Sequence, residues 1–222
     1  MLARLPPFEG VVPENQRREF GEHYRELAAA QKPVPPPPAI AAAFAPAGAE
    51  REEVVLLGSA GQRIITAGEI LCLAGLHAGL NVTQKNDYDI TVLRGPSISE
   101  MILSPEAIDY TGINRPSVVV AIGPEGVARR KKMFDGLDER CTIIQASGVE
   151  VPAGRASIQR VDFKGQGFKV TDWALASLGV LAKLDRAVRP EMLAAALAAR
   201  LRGDSLAEAL ETVRRVEPTE AG

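Results

Sequence analysis

Residues 54–83, reading VVLLGSAGQRIITAGEILCLAGLHAGLNVT, constrain the fold more tightly than any other stretch of the chain. Val54, Val55, Leu56 and Leu57 form an apolar run that stops at Gly58 and passes through Gly61. A helical period follows to about Leu80, and then a new extended segment opens. Strand, glycine turn, helix and strand in this order make the βαβ unit of an α/β fold. The turn falls at the C-terminal end of a buried strand and the N-terminal end of a helix. Free backbone N–H groups and the helix dipole there favour an anion or a polar ligand group.

The same turn is incomplete as a nucleotide fingerprint. A dinucleotide loop needs Gly-x-Gly-x-x-Gly, and the matching frame is Gly58-Ser59-Ala60-Gly61-Gln62-Arg63, which lacks two of the three glycines. No carboxylate closes the second strand near Thr83 to hold a ribose, since Asp87 comes late and beyond a polar stretch. Gln62-Arg63-Ile64 does not supply the Gly-Lys-Ser/Thr of a phosphate loop. Read alone, the turn is a tight corner before it is a nucleotide site.

Small residues mark the helix that follows. Gly61, Gly68, Cys72, Gly75 and Gly79 share one face by their spacing, and Ile64, Ala67, Leu71, Ala74 and Ala78 form an adjoining apolar face. Each interior helical glycine costs about 1 kcal/mol relative to alanine, so close approach of another backbone must compensate. Two readings fit: packing on the chain's own sheet, or packing against a partner subunit.

At 222 residues, 46% of them hydrophobic, the chain can bury one substantial α/β core with appendages. A net charge of −2 offers no field to attract nucleic acid or an anionic membrane. No basic, aromatic-laced surface is encoded, which excludes nucleic acid as the expected partner. Cys72 and Cys141 both lie in apolar segments and read as buried thiols of a reducing cytoplasm. With His23 and His77 they show no metal-ligand spacing. No signal region or membrane-spanning run is present, so the expected location is the cytoplasm, with no membrane span.

Residues 1–50 form a separate region. A proline-punctuated start leads to a helical period at residues 14–31, then to a stiff polyproline run at Pro33-Val34-Pro35-Pro36-Pro37-Pro38 and an alanine-rich stretch. Phe8, Phe20, Tyr24 and Phe44 are unusual for a disordered tail, and favour an arm that binds a partner subunit. The α/β domain is expected over 53–200, with a C-terminal helix and tail over 201–222. Within it, residues 84–89 read as a polar loop, 97–103 as extended, 117–122 (SVVVAI) as a strand buried on both faces, and 123–134 as a helix. Strands at 142–145 and 157–163 and helices at 170–184, 190–201 and 205–216 complete the pattern. Pro190 suits a first helical turn, and Asp204 or Ser205 can cap the last helix. The expected architecture is a doubly wound, mostly parallel, Rossmann-like α/β sheet with an extended N-terminal arm and a C-terminal helical cap.

No catalytic constellation emerges. Gly58-Ser59 lacks the frame of a nucleophile elbow, a lone His77 reads as a surface or core histidine, and Arg129-Arg130-Lys131-Lys132 reads as a wet helix face that could also meet a phosphate or an acidic partner. What remains are polar residues at strand ends: Gly58, Ser59, Gly61 and Gln62 after the first strand, Thr83 and Gln84 at the second, Arg94 and Gly95 before the third, and Gly123 after SVVVAI. In an open parallel sheet such ends form the ligand crevice. A crevice without an active site suggests one subunit of a larger enzyme.

Three ordered motifs sharpen this. Gly58-Ser59-Ala60-Gly61-Gln62, then Thr66-Ala67-Gly68-Glu69-Ile70-Leu71, then Gly79-Leu80-Asn81-Val82-Thr83-Gln84 resemble the gamma subunit, or fused gamma domain, of 2-oxoacid:ferredoxin oxidoreductases. The family has a Gly-x-Gly-Gly-Gln-Gly turn, an alanine-rich helix, a Thr-Gln strand and then Arg-Gly-Gly, which here reads Arg94-Gly95-Pro96. Residues 118–122 and 172–179 resemble its later strand and its Asn-initiated helix. The resemblance covers residues 53–200. It implies a subunit of an enzyme that oxidatively decarboxylates a 2-oxoacid to an acyl-coenzyme A. Thiamine diphosphate with magnesium and iron–sulfur clusters would lie in partner alpha, beta and cluster-carrying subunits, and ferredoxin or another acceptor would take the electrons. The gamma part is implied in assembly and in lining the coenzyme A side of the cavity.

The chain departs from this pattern at Ala60, Arg63 and Pro96, each in place of glycine, and at Asp172 in place of asparagine. Two other readings remain open: a stand-alone Rossmann-like protein binding a nucleotide or coenzyme A ester, and a purely structural scaffold subunit.

Overall fold

The apolar run at residue 54 forms the core of β1 (Glu52–Ser59) in a computed structural model that describes residues 22, 25, 40–89, 94–113 and 115–219. Val54, Val55, Leu56 and Leu57 are at most 1% exposed, as a run without alternation requires. β2 (Asn81–Tyr88), β3 (Pro96–Ser104), β4 (Val118–Ala121), β5 (Thr142–Ala146) and β6 (Ser157–Val161) complete one six-stranded sheet in the order β2-β3-β1-β4-β5-β6. β1, β4, β5 and β6 are mutually parallel, and β3 alone runs against them, antiparallel to both β1 and β2.

The expected βαβ unit is therefore split. β2 runs in the direction of β1, but β3 lies between them. Side-chain polarity accounts for the order: Ile98, Met101, Ile102 and Leu103 of β3 are buried, whereas β2 reads Asn-Val-Thr-Gln-Lys-Asn-Asp-Tyr and suits an edge. The polar loop expected at 84–89 is mostly strand, because cross-strand pairing as far as Tyr88 outweighs its low β propensity.

α1 (Ile64–His77) covers one face of the sheet. A Cβ on Gly68 would stand 2.6 Å from Gln84 Nε2, and one on Gly75 would stand 2.9 Å from Leu103 Cδ2. The small-residue stripe thus packs on the chain's own β2 and β3, which settles the two readings in favour of the internal one. Gly79, at φ +73°, closes the helix with Leu80 N–H donating to Gly75 O and Gly79 N–H to Leu76 O, both at 3.0 Å.

α2 (Pro124–Arg129) lies on the other face and passes into a 3₁₀ turn at Lys131–Gly136 rather than continuing as one helix. Of the basic run, Arg129 and Arg130 meet carboxylates of the same chain, while Lys131 and Lys132 stay on the exposed face that was expected. Arg130 pairs with Glu100 at 3.0 Å and Asp87 at 3.1 Å, and Arg129 reaches Asp87 at 3.4 Å. α3 (Trp173–Lys183), α4 (Pro190–Arg200) and α5 (Gly203–Arg215) follow. α4 packs along α1 and α5 along α3. α5 starts at Gly203 without a side-chain cap, so neither Asp204 nor Ser205 plays the expected part.

The chain divides into two compact units, Met1–Ala39 and Ile40–Gly222. Of the first, Glu22 and Arg25 are described, both helical and exposed. Phe8, Phe20, Tyr24 and the proline run of the expected arm lie outside the described residues. Residues 40–50 belong to the second unit. Ala43 and Phe44 donate to His77 O at 2.8 and 3.2 Å, and Phe44 packs on the core, so this part of the expected arm serves its own domain. α5 likewise belongs to the main unit instead of standing apart after residue 200. Both cysteines are free and buried; burial pushes the thiol of Cys72 up to about 12 and that of Cys141 up to about 11.

The sheet's centre makes a direct mutational contrast. A Cβ on Gly126 would lie 2.6 Å from Gly58 N and 2.8 Å from Gly58 O, where only backbone could yield. Gly126→Ala should destabilise by about 1–3 kcal/mol in chemical denaturation. Gly61→Ala, with open space but φ +88°, should lose only about 1 kcal/mol. Equal losses would contradict this packing.

Candidate functional site

β1 and β4 are the neighbouring parallel strands whose following helices leave to opposite faces, which makes the space beyond their ends the switch point where ligands of open sheets gather. Here the chain fills that space itself. Gln62 is 4% exposed; its Oε1 accepts Ser59 N–H at 2.7 Å and its Nε2 donates to Ile122 O at 2.9 Å. The Ser59 hydroxyl donates to the Glu125 carboxylate. A Cβ on Gly123 would come within 2.5 Å of Ser59 N, so the two strand ends touch through their backbones. Ala60 N–H donates to Gly95 O at 2.9 Å, which joins the turn to the start of β3.

Of the expected site residues, Gly58, Ser59, Gly61, Gln62 and Gly95 gather at this end of the sheet, with Arg94 exposed beside them. Gly61 is exposed, and Gly95 takes φ +99° to pass Asp89. Thr83 and Gln84 lie elsewhere. Their register places them level with Glu53 and Val54, five strand positions short of the crevice, because β2 begins at Asn81 instead of ending near Thr83. Gln84 acts as a packing residue whose Nε2 donates to Ile65 O and Ser99 Oγ, each at 3.0 Å.

Beside the sealed crevice opens a groove of about 770 Å³. The first turn of α1 (Arg63, Thr66, Ala67, Ile70) forms one wall, the segment Lys169, Thr171, Asp172 and Leu175 another, and the end of α4 with α5 the third. Spacing along the chain could not reveal it, since Arg63, Lys169, Arg200 and Arg215 come from four separate elements. One local signal existed: Arg63 occupies a turn position suited to glycine, and it does adopt the left-handed conformation at φ 56°.

Residues 53–217 match the model of the pyruvate ferredoxin/flavodoxin oxidoreductase family. The chain belongs to this family. Among curated relatives, 2-oxoglutarate synthase subunit KorC of Methanothermobacter marburgensis is 33% identical over 78 residues, covering 35% of this chain and 42% of that protein. KorC of Methanocaldococcus jannaschii is 33% identical over 82 residues, covering 36% and 44%. The chain thus spans less than half the length of these relatives. The fold is shared with the keto/oxoacid ferredoxin oxidoreductase gamma subunit from Geobacter sulfurreducens (TM-score 0.58, 20% identity, 74% of this chain and 95% of that one). It is shared with 2-oxoglutarate:ferredoxin oxidoreductase from Magnetococcus marinus, solved with 2-oxoglutarate, coenzyme A and succinyl-CoA bound (TM-score 0.63, 19% identity, 74% of this chain and 30% of that one).

The four departures from the family's motifs converge in space. Ala60 is bonded to Gly95, Pro96 pairs in register with Ser59, and Arg63 meets Asp172 at 3.8 Å across 109 residues of sequence. Among the described residues no three His, Cys, Asp or Glu side chains gather closely enough to hold an ion, and the thiols are buried in the core. Nor, among those residues, is any helix long and apolar enough to cross a membrane.

Arg63 provides the test of this local geometry. Its left-handed backbone costs about 1–2 kcal/mol, and the exposed pair with Asp172 contributes at most about 0.5 kcal/mol. Arg63→Gly should therefore hold or slightly raise the melting temperature, and a double-mutant cycle with Asp172→Asn should show coupling below about 0.5 kcal/mol. A clear loss of stability would mean that the pair holds the turn.

Proposed function

We propose that this chain is the gamma-type subunit of a multi-subunit 2-oxoacid:ferredoxin or other acceptor oxidoreductase of the cytoplasm, which oxidatively decarboxylates a 2-oxoacid to an acyl-coenzyme A. The observation that carries this reading is the family match across residues 53–217, which takes in the sheet from Glu53 onward and α1 to α5. Coverage of 95% of a separate gamma subunit at the level of fold supports it. Thiamine diphosphate, magnesium and iron–sulfur clusters belong to the alpha, beta and cluster-carrying partner subunits, where the hard chemistry is done. This chain contributes assembly. The exposed side of its turn, at Gly61, Arg94 and Gly95, lies along the coenzyme A side of the shared cavity, while Gly58, Ser59 and Gln62 hold that turn in place.

The sealed crevice favours a second reading, in which the subunit is purely structural and its turn touches no substrate. Coexpression with candidate partner subunits addresses both. We expect a stable hetero-oligomer whose 2-oxoacid-dependent and coenzyme A-dependent reduction of a dye appears only when this chain is included. Within that complex Arg94→Ala should raise KM for coenzyme A about tenfold with little change in kcat, as loss of a charged contact to a phosphate would. An unchanged KM would support the structural reading. A monodisperse monomer that captures none of these subunits would overturn the proposal.

A further inference from the structure

The two edges of the sheet are finished differently. Along β6 the chain's own end supplies a partner: Thr219 N–H donates to Arg160 O at 3.0 Å, and Gln159 Nε2 donates to Thr219 O. β2 is the other edge, and among the described residues no hydrogen bond reaches its outer backbone groups. An open edge of this length is a template for another strand.

The alternation of the ladder identifies those groups. Glu53 O and Leu57 O accept from Ser117 and Ile122, so the odd residues of β1 face β4 and the even ones face β3. Ala60 N–H, donating to Gly95 O, continues that alternation. The unbroken register then turns Ile98, Glu100, Ile102 and Ser104 of β3 toward β2. β2 meets them with Asn81, Thr83, Lys85 and Asp87, and the N–H and C=O groups of Val82, Gln84, Asn86 and Tyr88 point outward.

Side chains divide by the same parity. Val82 and Gln84 lie beneath Gly75 and Gly68 of α1. Lys85 and Asp87 lie on the α2 face, where Arg129 and Arg130 hold Asp87. Lys85 reaches only Glu100, at 3.9 Å, and its side chain is 63% exposed. Tyr88, at the end of the edge, is 55% exposed.

We infer that the β2 edge is a homodimer interface, at which a second copy of this chain pairs antiparallel about a two-fold axis through Asn86. This register is self-complementary. It sets Lys85 opposite Asp87 of the copy, twice, in the pairs where facing side chains come closest. Gln84 then faces Tyr88 of the copy, which covers that exposed ring. About six main-chain hydrogen bonds join the two sheets into one. The neighbouring registers fail on charge: an axis through Lys85 opposes it to itself, one through Asp87 opposes that carboxylate to itself, and one through Gln84 leaves Lys85 facing Thr83. Lys85, the residue type that normally guards an edge, here selects the pairing.

Analytical ultracentrifugation of the full chain across a wide concentration series should show a monomer–dimer equilibrium. Lys85→Asp, facing Asp87 of the copy, should weaken it about tenfold, and Lys85→Arg should preserve it. Asn86→Pro removes an outward N–H, which an isolated edge tolerates, and should leave a folded monomer. A covalent probe reports the register: both native thiols are buried, so Asn86→Cys places one exposed thiol on the axis. Oxidised glutathione should link that variant to itself much faster than Tyr88→Cys, which faces Gln84. A monomer at every concentration, a dimer that survives Asn86→Pro or ignores Lys85→Asp, or equal linking of the two cysteine variants would each overturn the interface. Capture of oxidoreductase subunits by a chain that never dimerises would refute this inference alone, and a dimer that captures none would refute only the proposed function.

Discussion

One carboxamide holds the centre of this molecule together. Gln62 joins the end of β1 to the end of β4 where α1 and α2 depart to opposite faces, and it does so while almost wholly buried. Removing it would strand Ser59 N–H and Ile122 O without partners, at a cost of about 1–3 kcal/mol for each buried group. The close backbone contact that lets one short side chain span the gap depends on Gly58, Gly123 and Gly126. Sheet, turn and helix directions all follow from that junction.

The elements legible in the sequence were those in which a single period decides. The unalternating runs at 54–57 and 118–122 read as buried strands, and the small-residue helix and the doubly wound α/β class were equally clear. Pairing was harder. Residues 84–89 read as a loop because Gln84, Lys85, Asn86 and Asp87 disfavour strands one by one, yet β3 supplies a ladder as far as Tyr88. That missed ladder also misplaced Thr83 and Gln84, since a strand thought to end at Thr83 in fact starts at Asn81. The glycine stripe could not declare its partner until Gln84, Ser99 and Leu103 were seen beneath it. Arg129 and Arg130 likewise read as a solvated face because Asp87 and Glu100 are distant in sequence.

The candidate site divides along the same line. Its inner half, Gly58, Ser59 and Gln62, was visible as a motif and turns out to be consumed by internal hydrogen bonds. Its outer half, Arg63, Lys169 and Asp172, is assembled by the fold from segments over a hundred residues apart. A turn that most resembles a ligand loop thus acts as a joint, and the open groove lies next to it. The family match spans both halves, from Glu53 through the groove residues of α5.

Residue-resolved amide hydrogen exchange of Ser59 in the full chain tests the joint most directly. If Gln62 seals the strand ends, Ser59 should exchange as slowly as Leu56 and Leu57 in the core of β1 and should keep that protection when coenzyme A is added. Exchange at the rate of an exposed turn, or protection that appears only with the ligand, would show an open loop and contradict the account.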